Sequence, residues 1–158
     1  MEPRFYANRY ASILYRYSQR FLSHALRQAQ LPLESGQLVV FLRCAHRPGI
    51  TQEEIAVVTG LDKATVARIA AALAERGLMR READPDDRRA YRLSLTEAGE
   101  ALVGRVEEVT DRLHEVLYRG LSRAEQDEAC RLLVAMCGNL RGAVSAGRAG
   151  GADPGRGC

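Results

Sequence analysis

Apolar side chains recur over residues 5–30 at Tyr6, Tyr10, Ile13, Leu14, Tyr17, Phe21 and Ala25, in steps of three and four. That spacing lines one side of a helix with 3.6 residues per turn, so it predicts an amphipathic helix. Pro32 ends it, because proline disfavours the helical state in the residue before it. A second, more apolar helix is predicted over 35–46 and is stopped by Arg47, Pro48 and Gly49.

Thr51 and Glu54 then form a capping box, in which each side chain satisfies the other's backbone N–H. A short helix to about Thr59 follows, and Gly60 breaks it. Asp62 caps a longer helix through Thr65, Ile69 and Leu73 to Arg76, with Gly77 as its C-terminal stop. Short helix, glycine turn and longer helix make the helix-turn-helix pattern. Residues 78–83 and 89–95 read as two strands, the second with Tyr91, Leu93 and Leu95 alternating against Arg92 and Ser94. Asp84, Pro85, Asp86 and Asp87 between them are strong turn formers. Two strands joined by a polar loop directly after a helix-turn-helix make a wing. Thr96 caps a predicted long helix to about Arg119, and Ser122 with Glu125 opens a last one carrying Ala129, Leu132, Leu133, Met136 and Leu140. From residue 142 the Gly, Ala and Arg composition predicts a disordered tail.

Charge sharpens this picture by its placement. The chain has 158 residues and a net charge of +3, yet residues 51–95 carry eight basic and eight acidic groups. Any positive footprint must therefore come from where the charges sit. Four cysteines, Cys44, Cys130, Cys137 and Cys158, have no metal-site spacing and read as free thiols. No catalytic triad, paired carboxylates, phosphate loop or metal spacing is visible, so neither an enzyme nor a cofactor is expected. The longest apolar runs, such as residues 38–42, are too short to span a bilayer, and the N-terminus has no apolar signal core. The expected location is cytoplasmic.

The first turns of a helix entering the major groove reach base edges. Here they offer Lys63, Ala64, Thr65, Ala67 and Arg68, with Thr51 and Gln52 at the start of the preceding helix. Lys63 and Arg68 can donate to guanine or phosphate, and Thr65 can touch a phosphate or a thymine methyl. Arg88 and Arg89 at the wing tip suit a narrow minor groove, with Arg88 the first choice for insertion and Asp84 or Asp87 placed to hold it.

The stretch from Thr51 to Gly99 resembles the DNA-binding half of the MarR (multiple antibiotic resistance regulator) family. The most specific part is Asp84-Pro85-Asp86-Asp87-Arg88-Arg89 followed by Leu93-Ser94-Leu95-Thr96 and Gly99. The helix order on both sides fits, so the likeness covers roughly residues 5–141. Where relatives often carry Ser or Thr, this chain has Ala64 and Ala67, and so fewer hydroxyl contacts. The resemblance implies a mainly α fold with a small β-wing. Residues 5–48 and 96–141 would be dimerisation helices around a winged helix-turn-helix at 49–95, ahead of the tail at 142–158. It further implies a homodimeric repressor on a pseudo-palindromic duplex, released by a small aromatic or phenolic ligand. Apolar stripes on the flanking helices, with little domain left to cover them, support dimerisation independently.

Candidates for the effector pocket are Tyr6, Tyr10, Arg16, Tyr17, His24, Arg43, Cys44 and His46. Arg and Tyr together suit an aromatic carboxylate, although the tyrosines also fit a dimer core. Two alternatives stand beside this reading. Cys44 next to Arg43 could have a lowered thiol pKa and sense oxidants. A winged helix can also serve as a protein-interaction module, though such a module needs no basic wing tip.

Overall fold

The computed structural model describes residues 6–87 and 90–149. The chain divides into two units, Met1–Leu117 and Tyr118–Cys158. In the first, the predicted amphipathic helix is α1, Tyr6–Gln28. Only its C-terminal part enters the core, through Leu22, Ala25 and Leu26, while Tyr10, Leu14, Tyr15 and Tyr17 stay exposed. Leu31 and Leu33 on either side of Pro32 are buried and lead into a 3-10 turn at Ser35–Gln37. The α-helical part of the predicted second helix is therefore α2, Leu38–His46, with Val40, Phe41 and Cys44 completely buried.

Strand β1, Ile50–Thr51, is too short to show in the residue pattern, yet it pairs antiparallel with the wing. Helix α3 spans Gln52–Thr59 and begins with the expected box: Glu54 N–H donates to Thr51 Oγ1 at 3.2 Å, and Thr51 N–H to Glu54 Oε2 at 2.9 Å. Gly60 takes φ 74°, a left-handed turn that a Cβ would disfavour. Helix α4, Lys63–Glu75, follows and buries Val66, Ala70 and Leu73. Strands β2, Met79–Ala83, and β3, Tyr91–Leu95, complete a sheet of order β1-β3-β2.

The alternation expected along β3 is not kept. Leu93 and Leu95 are buried, but Tyr91 is exposed and Ser94 is buried. Tyr91 lies where the hairpin has run past the core. Ser94 Oγ is usefully buried because it accepts the Gly49 N–H at 2.9 Å.

The predicted single helix from Thr96 is two pieces, α5 at Glu97–Glu100 and α6 at Val103–Leu117. Thr96 both caps and anchors: its hydroxyl accepts the Gly99 N–H and donates to Gly77 O at 2.6 Å. The Leu102 N–H bonds back three residues to Gly99 O, which tightens the helix into a break there.

The second unit holds α7, Arg123–Ala149, opened by the expected box between Ser122 and Glu125. It runs through Gly142 to Ala149, so the tail expected from residue 142 is helical over its first residues. Three isolated glycines, Gly138, Gly142 and Gly147, each cost about 1 kcal/mol against alanine, and the helix nevertheless continues past them.

Gly99 is the tightest point of the fold. A Cβ there would lie 2.2 Å from Leu78 O and 3.2 Å from Leu95 Cβ. Gly99→Ala is expected to cost about 1–3 kcal/mol, since a backbone carbonyl must give way. Urea denaturation should show a lower midpoint with an unchanged slope, and an unchanged midpoint would show that the junction is slack.

Candidate nucleic-acid interface

The N-terminal end of α4 is built on Asp62. Its Oδ1 accepts the Thr65 N–H at 2.8 Å and its Oδ2 accepts the Thr65 hydroxyl at 2.7 Å. Those bonds, the hydroxyl's first, hold the Asp62 carboxyl below the usual carboxylate range. Arg68 Nη2 lies 3.4 Å from the same Thr65 oxygen. Lys63, Ala64 and Arg68 are exposed, with Thr65 and Ala67 half-buried beside them. Lys63 Nζ sits 2.9 Å from Glu53 Oε1 of α3, both side chains being 68% exposed. Such a solvated pair holds weakly, and a duplex phosphate can replace the carboxylate.

Thr51 is occupied as the α3 cap, and the Gln52 Nε2 is buried without a hydrogen-bond partner. Arg47 reinforces the cap by donating to Glu54 Oε1 at 2.6 Å. The Thr51 backbone N–H, its hydroxyl and then Arg47 keep Glu54 ionised below the usual range.

The wing is fastened by Asp84, which is only 7% exposed. Its Oδ1 accepts the backbone N–H groups of Asp86 at 2.8 Å and Asp87 at 3.2 Å, and its Oδ2 accepts Arg92 Nε at 2.8 Å. The Asp86 N–H first, then Arg92, depress the Asp84 pKa. A carboxyl depressed by folding favours the fold above its ordinary range and loses that contribution as pH falls through the lowered value, so the fastening is complete at neutral pH. Asp84 thus organises the loop through Arg92. Arg88 and Arg89 lie outside the described residues. Arg92 escaped sequence reasoning because alternation placed it on a solvent face; its spacing from Asp84 across a hairpin was the available signal. Arg81 was also missed. Its guanidinium lies 4.5 Å over the Tyr91 ring, on the exposed end of the wing.

The proposed effector residues differ in burial. Tyr10, Arg16, Tyr17, His24 and Arg43 are exposed, and Arg16 donates to Ser12 on its own helix at 2.8 Å. Of Tyr6 only its place at the start of α1 is described. Cys44 is wholly buried, and burial pushes its thiol up to about 12. Arg43, on the exposed face, does not offset that desolvation, so the lowered pKa expected for Cys44 is overturned. Among the described candidates, His46 lines a cleft, an open hollow of about 510 Å³ shared with Leu42, Glu107, Thr110, Asp111 and His114. His46 Nε2 and Glu107 Oε1, 3.2 Å apart, link α2 to α6 across it.

Lys63→Ala is expected to weaken duplex binding by roughly 1 kcal/mol and to reduce the salt slope by about one. Glu53→Gln should strengthen binding, because it frees Lys63 and removes a like charge near the phosphates. Fluorescence anisotropy across a salt series checks both. An unchanged slope for Lys63→Ala would remove that residue from the phosphate contacts.

The MarR family model matches residues 33–91. The chain is 36% identical over 111 residues to the transcriptional regulator HosA of Escherichia coli O111:H-, covering 69% of this chain and 82% of HosA. It is 33% identical over 89 residues to a Thauera aromatica protein assigned as transcriptional regulator for the hcr operon, covering 56% of this chain and 54% of that protein, so it spans about half of that relative's length. A Listeria monocytogenes protein assigned to the MarR family and crystallised with a 26mer DNA shares the fold, with a TM-score of 0.80 at 19% identity over 94% of this chain and 97% of that one. The wing, the capped helix-turn-helix and these likenesses agree: the chain belongs to the MarR family of DNA-binding transcriptional regulators, which are not enzymes.

Proposed function

We propose that the protein is a homodimeric repressor that reads both halves of a pseudo-palindromic operator and is released by a small ligand. The observation that carries this reading is the apolar surface left uncovered. On α7, Leu133, Met136, Leu140 and Val144 recur at helical spacing and are all exposed. On α1, Tyr10, Leu14 and Tyr17 do the same. Stripes of this extent are normally buried against a partner, and two-fold symmetry is the commonest arrangement. A two-fold dimer carries two copies of α4 and suits two half-sites. Lys63, Thr65 and Arg68 are assigned to the major groove. Arg88 and Arg89 are assigned to the minor groove, on a wing braced by Asp84 and Arg92.

The ligand is assigned to the cleft between α2 and α6. Its lining alters the expected chemistry. Glu107 and Asp111 line it, and among the described residues neither Lys nor Arg does, so a neutral phenol or a cation fits better than an aromatic carboxylate. Among the described residues no helix is long and apolar enough to cross a membrane.

Sedimentation of the wild-type chain should show a dimer. Leu133→Glu with Leu140→Glu should give a folded monomer whose operator affinity falls by a factor on the order of 10² or more, as bivalent attachment is lost. A monomeric wild type, or a variant with full affinity, would overturn the reading. The redox alternative has its own check. Native Cys44 should resist iodoacetamide at pH about 8 and react once the chain unfolds. With Cys130, Cys137 and Cys158 changed to Ser, peroxide should leave operator affinity unchanged, and a loss there would restore Cys44 as a sensor.

A further inference from the structure

We infer that Arg76 is a positioning residue that registers the recognition helix α4 to α1, and so sets the half-site spacing the protein accepts. The inference rests on the two-half-site reading above. Arg76 stands at the C-terminal cap of α4, at the opposite end from Lys63. Its Nη1 donates to Pro32 O at 3.0 Å and to Gln37 Oε1 at 3.3 Å, and its Nη2 donates to Glu34 Oε1 at 3.0 Å. All three acceptors belong to the segment between α1 and α2, some forty residues earlier in the chain.

That segment is itself rigidly seated. Leu31, Leu33 and Gln37 are buried, and Gln37 Oε1 also accepts the Glu34 N–H at 3.0 Å. Ser35 Oγ lies 2.9 Å from Ser23 Oγ of α1, and Arg105 of α6 donates to Ala29 O just beyond the end of α1. Arg76 therefore clamps the recognition helix to a seat fixed on the helix whose exposed apolar face is offered for dimerisation.

The mechanical consequence follows from length. Thirteen residues of α-helix extend about 20 Å, so a tilt of about 5° at the clamped end moves the reading end by about 1.7 Å. A hydrogen bond to a base edge tolerates only a few tenths of an ångström. The clamp contributes little to stability, because Arg76 and Glu34 are 38% and 72% exposed. Its effect lies in geometry.

The test uses the full chain and duplexes whose half-sites are moved together or apart by one and two base pairs, with a single-half-site duplex as reference. The wild type should show a spacing optimum and lose about tenfold or more one base pair away from it. Arg76→Ala should flatten that profile to less than about threefold, with single-half-site affinity and thermal midpoint little changed. Arg76→Lys should behave like Arg76→Ala, since one ammonium cannot reproduce the planar fork across three acceptors. Glu34→Gln keeps an acceptor and should keep the wild-type profile. Arg76→Ala with the wild-type profile overturns the inference, as does a uniform loss at every spacing together with a lower midpoint. A dimeric wild type indifferent to spacing overturns the two-half-site reading itself, and the inference with it.

Discussion

The wing keeps its shape because one carboxylate, Asp84, is withdrawn from solvent between two backbone N–H groups and the Arg92 guanidinium. Without it, a loop of three acidic side chains would repel itself and any phosphate near it. With it, one acidic group becomes internal wiring that fixes the direction in which the hairpin leaves the core. The same device recurs at the starts of the two helices below. Glu54 closes the α3 cap with Thr51 and Arg47, and Asp62 closes the α4 cap with Thr65.

This repeated use of carboxylates gives three of the eight acidic groups in a DNA-binding segment a structural part. Residues 51–95 carry equal numbers of acids and bases, which argues against attraction by bulk field. Yet Glu54, Asp62 and Asp84 each accept two or more hydrogen bonds from within the fold, and all three are held ionised by those donors. Their charge is spent on local N–H groups and guanidinium partners. Lys63, Arg68 and Arg81 project from the same elements into solvent. Glu53, Glu75, Glu82, Asp86 and Asp87 are exposed as well, so the segment offers bases by their position and not by an excess of positive charge.

Much of this was legible in the residues. Caps, glycine stops and the turn after Ala83 located the helix-turn-helix and the wing, since each depends on short-range chemistry that a local pattern records. What escaped depends on partners distant in the chain. Strand β1 has two residues and exists only because Leu93 and Arg92 pair with it. Ser94 is buried because of Gly49, and Arg92 matters because of Asp84. The close approach of Gly99 to Leu78, and the break between α5 and α6 that comes after it, are announced by no periodicity. The effector candidates were the least legible. Tyrosines spaced along one helix signal an apolar face, whereas the cleft is made by α2 meeting α6, and only His46 was foreseen in it.

Helix α1 has two allegiances, and these shape how release can work. Its C-terminal part is buried in its own core through Leu22, Ala25 and Leu26, while its first turns leave Tyr10, Leu14 and Tyr17 exposed. In the proposed dimer, a helix shared between a core and a dimer contact cannot move without altering the separation of the two recognition helices. The cleft lies between α2 and α6, and α6 is tied to the end of α1 through Arg105. On the proposed reading, a ligand there releases DNA only if it binds an arrangement with the recognition helices moved apart more tightly than the DNA-bound one. The His46–Glu107 contact across the cleft gives such a difference a physical origin, because a molecule wedged between the two groups must part α2 from α6. A coupling of 1–3 kcal/mol, typical of such systems, needs only a contact of that size made in one arrangement and not the other.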